Sequence, residues 1–195
     1  MRKPIDRPVY AIGLDLSLRA SAACAIPIGW NQSIVEVRTA TFDAEKISKE
    51  GSDLERLRRM EDISEKVITF IHAFRDPVSL TTRENNAPAI FVEEMAFGQS
   101  GAMARENAGL AWIVRWKIWR VFDVIAHPVI ASQARKALLQ KLPRKDVKKF
   151  TLSNVRRLGG QASKWTDGEA DSFVIANRGV ELSGGMAMTF EGIVT

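Results

Sequence analysis

Residues 8–26, PVYAIGLDLSLRASAACAI, place two apolar, β-type runs on either side of a short turn around Ser17 to Arg19. That arrangement predicts an antiparallel hairpin at the start of a sheet. One carboxylate, Asp15, stands near the end of the first run. An ionised carboxylate in an apolar strand is costly unless hydrogen bonds or a cation compensate it. The hairpin therefore belongs inside a sheet, with Asp15 at an edge where a compensating partner sits.

The rest of the chain extends that sheet. The first three strands are expected over about 8–16, 20–29 and 33–42, the last from the alternation in VEVRTATF. Asp53 to Phe74 reads as a long amphipathic helix, with Leu54, Leu57, Met60, Ile63, Val67, Ile68 and Ile71 at helical spacing. A turn-rich connector over 76–88 leads to the short strand AIFVEEM, Ala89 to Met95. Ala102 to Phe122 is a second long helix, on which Trp112, Trp116 and Trp119 form one stripe: a core face, a subunit interface or a platform for stacking bases. Val124 to Ile130 reads as a further strand. Two basic helices, Ser132–Gln140 and Lys145–Leu158, precede a last helix capped by Thr166 or Asp167 and running to about Val180. The order β-β-β-α-β-α-β-α-α implies an α/β fold. Its mixed sheet, a hairpin followed by parallel strands, is covered by helices on both faces. A single domain is expected, with a core over about 8–180 and a tail over 181–195.

Carboxylates recur at element ends that ought to be buried. Asp15 ends the first strand, Glu93 and Glu94 end AIFVEEM, and Asp167, Glu169 and Asp171 open the last helix. Parallel strands present their C-terminal ends on one sheet edge, where ligand sites collect. Clustered carboxylates raise one another's pKa unless a cation lies between them. Divalent ions with oxygen ligands answer that need, and a pair of them suits phosphodiester hydrolysis. Taken singly, each acid is equally well read as a turn cap, a strand end or a helix-dipole partner.

Composition narrows the chemistry. A single cysteine, Cys24, excludes an internal disulfide and a cysteine-based zinc site, and two separated histidines, His72 and His127, argue against a histidine cluster. Any metal must be held by carboxylates, which selects magnesium or manganese. No run approaches a membrane span, and MRKPIDRPVY lacks an export signal, so a cytoplasmic location is expected. The formal net charge is +5, yet from Arg135 to Lys164 there are ten Lys and Arg against the single acid Asp146. That stretch carries +9 and the remainder −4. It reads as a polyanion-docking face or as a solvated helical surface.

Several of these segments together resemble the RuvC-type Holliday junction resolvases. IGLDLSLRASAACAI resembles their first acidic motif, IFVEEMAF the second, VIASQARKALLQKLPRKDVKKFTL the lysine-rich stretch, and DGEADSFVIANRG the acid-initiated final helix. The likeness runs in order over about 8–180. It implies an RNase H-like fold, a homodimer, and four acids working with Mg2+ or Mn2+ in a two-metal site. On that likeness Asp15 is the first-strand acid and Glu93 the second-motif acid, with Glu94 selected instead by a one-residue shift. Asp171 is the last acid. The family's remaining acid lies three residues before it, where this chain has Gly168. Asp167, four residues before, still shares roughly the same helical face and is expected to take that role, while Glu169 points away.

The same likeness implies DNA contacts from Lys136, Lys145 and Lys148, with Arg135 and Lys149 nearby, and a wedge loop near Phe97 to Met103. It makes the tryptophan helix, Trp112 to Trp119, a dimer-forming element. The expected partner is branched DNA, a four-way junction above all, in a bacterial or phage-infected cell and away from membranes. Alternatives are an RNase H-like nuclease on other branched DNA or RNA–DNA hybrids, and a catalytically idle DNA-binding module. An actin-like ATPase is disfavoured, because the chain lacks the length and the Gly-rich loops it requires.

Overall fold

The structure, a computed structural model, describes residues 9–29, 33–43, 52–75, 87–94, 101–139 and 145–190. Its sheet has five strands: β1 (Tyr10–Asp15), β2 (Ser21–Pro27), β3 (Arg38–Phe42), β4 (Ala89–Glu93) and β5 (His127–Val129), in the order β3-β2-β1-β4-β5. β1 pairs antiparallel with β2, and β2 antiparallel with β3. On its other side β1 pairs parallel with β4, and β4 parallel with β5. The hairpin-led mixed sheet expected from the sequence is the one that forms.

Helices cover both faces. One face packs against α1 (Asp53–His72) and α2 (Ala102–Phe122) through Ile12, Leu14, Ala23, Ile90 and Val92. The opposite face packs against α3 (Ala131–Leu139), α4 (Val147–Arg156) and α5 (Asp167–Leu182) through Ala11, Cys24, Ile26, Phe91 and Val129. Neighbouring strand residues thus serve opposite cores, as the two-residue period requires.

Two expectations are corrected, and one open reading is narrowed. The third strand begins at Arg38 rather than at 33, because Ile34–Glu36 winds into a 3-10 turn. The Gln161 side-chain amide donates to the carbonyls of Ile34 and Val37, at 2.6 and 2.7 Å, and so holds that turn away from the sheet. Leu54 and Leu57 are exposed, and the buried face of α1 begins at Met60. The tryptophan stripe is not core: Leu110, Val114, Ile118 and Phe122 occupy the buried face of α2, leaving Trp112, Trp116 and Trp119 70%, 57% and 51% exposed. Among the described residues, no helix is long and apolar enough to cross a membrane.

Beyond α5 the chain folds back. Asn177 exchanges two hydrogen bonds with the Met188 backbone, at 2.8 and 2.9 Å, and the Phe190 N–H donates to the Leu138 carbonyl at 2.8 Å. Met188 is buried there. The segment expected as a tail is fastened to α5 and α3 as far as residue 190.

Candidate active site

A glycine sets the site's depth. A Cβ on Gly13 would lie 2.3 Å from the backbone N of Ala176 and from the Ser172 carbonyl, so α5 lies directly on the β1 backbone. Gly179 does the same for Phe91, whose ring would lie 2.3 Å from an added Cβ. With Gly13 facing α5, strand alternation turns Asp15 to the same side. On β4, Phe91 faces α5, and Glu93, two residues on, follows it. β1 and β4 run parallel with Leu14 opposite Val92, so the next step of the register sets Asp15 beside Glu93. Glu94 falls on the other side of the strand, and its N–H donates to the Val129 carbonyl at 2.8 Å. Of the two adjacent glutamates, Glu93 is the one that meets Asp15.

The turn that follows Asp15 is held from several directions. The Ser21 hydroxyl accepts from the Ser17 N–H at 3.0 Å and donates to the Ser17 carbonyl at 2.8 Å. The Leu18 N–H donates to the Asn107 side chain on α2 at 3.1 Å. Asp15 thus sits between a packed strand and a fixed turn.

Burial raises the Asp15 pKa, and the charges of Glu93 and Asp171 and a hydrogen bond with Glu93 add to it; Lys148 opposes them, and the pKa stands at about 8. Two carboxyl groups within hydrogen-bond reach must share a proton or a cation. The third acid, Asp171, is buried on α5. Its Oδ1 accepts from Arg135 Nε at 3.1 Å and from Nη2 at 2.8 Å. Its Oδ2 lies 3.4 Å from Lys148 Nζ. Burial lowers the Lys148 pKa, but the charges of Asp171, Asp15 and Glu93 outweigh it and hold the ammonium above its usual value.

Arg135, expected among the DNA contacts, is thus inside the protein. It sits on the packed side of α3 with Ala134, Leu138 and Leu139, and its guanidinium grips Asp171. Its spacing from Leu138 and Leu139 was the sequence signal for that burial. Lys136, Lys145, Lys148 and Lys149 are exposed, as a docking face requires.

Asp167 does not join the cluster. It is exposed at the first position of α5, whereas Gly168 faces inward: a Cβ there would lie 3.7 Å from Asp15 Oδ2 and 3.3 Å from Ala22 Cβ. The position three before Asp171 points at the acids, and in this chain it carries no side chain. Glu169 is committed to a capping box with Thr166 and also accepts from the Thr39 hydroxyl at 3.1 Å. The wedge loop expected near 97–103 lies mostly outside the described residues.

No family model matches the chain, and no curated protein matches it in sequence. Solved structures match its shape. Thermus thermophilus RuvC in complex with a Holliday junction substrate aligns at TM-score 0.54 and 18% identity, over 86% of this chain and 90% of that one. A second Thermus thermophilus RuvC structure aligns at TM-score 0.58 and 16% identity, over 90% of this chain and 97% of that one. The fold is that of RuvC. The mixed five-stranded sheet with helices on both faces is consistent with that fold, which is RNase H-like.

The carboxylates fit a divalent ion chemically. Oxygen donors are what Mg2+ and Mn2+ prefer, and a cation relieves the proton sharing between Asp15 and Glu93. Among the described residues, no three acid, His or Cys side chains stand as a ready-made cage. Asp171 is instead turned onto Arg135 and Lys148.

Proposed function

We propose that this protein is a metal-dependent, structure-selective DNA endonuclease that hydrolyses phosphodiester bonds at four-way junctions. The observation that carries the reading is the meeting of Asp15 and Glu93 at the ends of two parallel strands, with Asp171 above them on α5. The basic segment beside them supports a polyanionic substrate. Asp15 and Glu93 would provide the oxygen ligands, with Asp171 completing the set. When bound, magnesium or manganese supplies an activated water and a stabilised leaving oxygen. Lys148, beside the acids, and Lys136, Lys145 and Lys149 along the same segment would hold backbone phosphates, which makes binding salt-dependent. The RuvC complex with a Holliday junction substrate supports branched DNA as the partner.

The protein acts as a homodimer inside a bacterial or phage-infected cell. Trp112, Trp116 and Trp119 form the contact between copies, with Arg120 stacked 5.9 Å from the Trp116 ring. A twofold dimer presents two equivalent sites and nicks two strands symmetrically. A labelled four-way junction incubated with Mg2+ or Mn2+ tests the reading. Paired symmetric nicks, abolished by Asp15→Asn, are the expected result. Cutting of RNA–DNA hybrids alone, or junction binding with no cleavage at any metal concentration, would overturn it.

A further inference from the structure

Two cations serve the same carboxylate, and they differ in kind. Arg135 reaches Asp171 Oδ1 with two donors, and the side chains of Arg135 and Asp171 are 10% and 5% exposed. Lys148 reaches Oδ2 with one contact at 3.4 Å from a side chain 66% exposed. A guanidinium held by two hydrogen bonds inside a packed helix face stays in place. An ammonium on a flexible, solvated stem exchanges readily. The oxygen that Lys148 covers is the one on which Arg135 makes no hydrogen bond.

We propose that Lys148 is an exchangeable counter-ion of the acid cluster. It pairs with Asp171 Oδ2, within the field of Asp15 and Glu93, while the site holds no metal, and a divalent cation displaces it. Arg135 is the permanent partner, a positioning residue that fixes Asp171 in both states. Metal loading and substrate engagement are then linked: the cation that frees Asp171 Oδ2 also frees the lysine ammonium for a phosphate. The linkage rests on the endonuclease reading, but the exchange itself needs only the protein and the ion.

The test is Mn2+ binding by calorimetry to the full chain and to Lys148→Met, with thermal unfolding in chelator and in saturating Mn2+. Removing the competitor is expected to tighten Mn2+ binding by about two- to fivefold, the scale of an exposed ion pair. It is also expected to lower the melting temperature in chelator and to leave it unchanged in saturating Mn2+. Arg135→Lys, by contrast, is expected to lower it in both conditions. Unchanged or weaker Mn2+ binding by Lys148→Met, or no Mn2+ binding by the wild-type protein, overturns the exchange. Mn2+ exchange without junction cleavage would instead count against the endonuclease reading alone.

Discussion

Gly168 and Asp15 face each other across the start of α5, with the place of a missing Cβ 3.7 Å from Asp15 Oδ2. A side chain added there points directly at the acids. Gly168→Asp is expected to tighten Mn2+ binding by about tenfold, equivalent to roughly 1.4 kcal/mol. In chelator the same variant is expected to melt below wild type, because it adds a like charge beside Asp15 and sets Cβ 3.3 Å from Ala22. Calorimetry and thermal unfolding read the two effects; unchanged Mn2+ affinity would contradict the placement.

Asp15 makes the metal-free protein sensitive to pH. Its pKa is raised to about 8 in the fold, against roughly 3.9 in an unfolded chain. Between those values the folded state holds a proton that the unfolded state has released. The Asp15 contribution to stability is therefore greatest at the acidic end, falls as pH rises from about 4 to about 8, and levels off above. Asp15→Asn lacks that dependence and is expected to melt a few degrees above wild type at pH 8 in chelator. Saturating Mg2+ should remove the wild-type slope but leave the variant unaffected. Melting curves across pH, with and without Mg2+, check it.

Asp167 and Asp171 separate cleanly by substitution. Asp167→Asn alters an exposed first-turn residue and is expected to change stability by less than about 0.5 kcal/mol, with Mn2+ binding intact. Asp171→Asn weakens charged hydrogen bonds from a buried guanidinium, at a cost of about 2 kcal/mol. It is also expected to reduce Mn2+ affinity. Denaturant unfolding and calorimetry on both variants distinguish them, and equal effects would restore Asp167 to the site.

Gly13→Ala tests the seat of α5. The added methyl would stand 2.3 Å from two backbone atoms of that helix, which no rotamer relieves. The expected cost is about 3 kcal/mol, with loss of Mn2+ binding because Asp171 moves with the helix. A variant with wild-type stability and binding would mean that α5 is not seated there.

The tryptophan face of α2 predicts self-association. Trp112→Ser with Trp116→Ser is expected to convert a dimer to a monomer in sedimentation, at little cost to the unfolding of the isolated chain. Dimers that persist in the double variant would place the interface elsewhere.

Much of this was legible in the sequence because period and charge speak locally. Two apolar runs either side of the turn around Ser17 to Arg19 gave the hairpin, and three groups of carboxylates at element ends gave the acid cluster. The choice between Glu93 and Glu94 required strand register, which a sequence cannot set to one residue. The family likeness, which asks for one more acid before Asp171, together with helical spacing favoured Asp167, but the capping box between Thr166 and Glu169 fixes where the helix starts, so position 168 faces inward. Arg135 read as one more surface charge in a basic run; its burial depends on a partner 36 residues away. The tryptophans were ambiguous for a similar reason, since the helix carried a second apolar face that filled the core first.

The hold of Gly13 on α5 also has a meaning in time. Asp15 and Glu93 are made early, but Asp171 belongs to the element that β1 waits for, more than 150 positions further along the chain. A polypeptide emerging from the ribosome therefore carries an incomplete set of acids until the α5 segment has been made. Only when that helix docks on the first strand do the three acids come together.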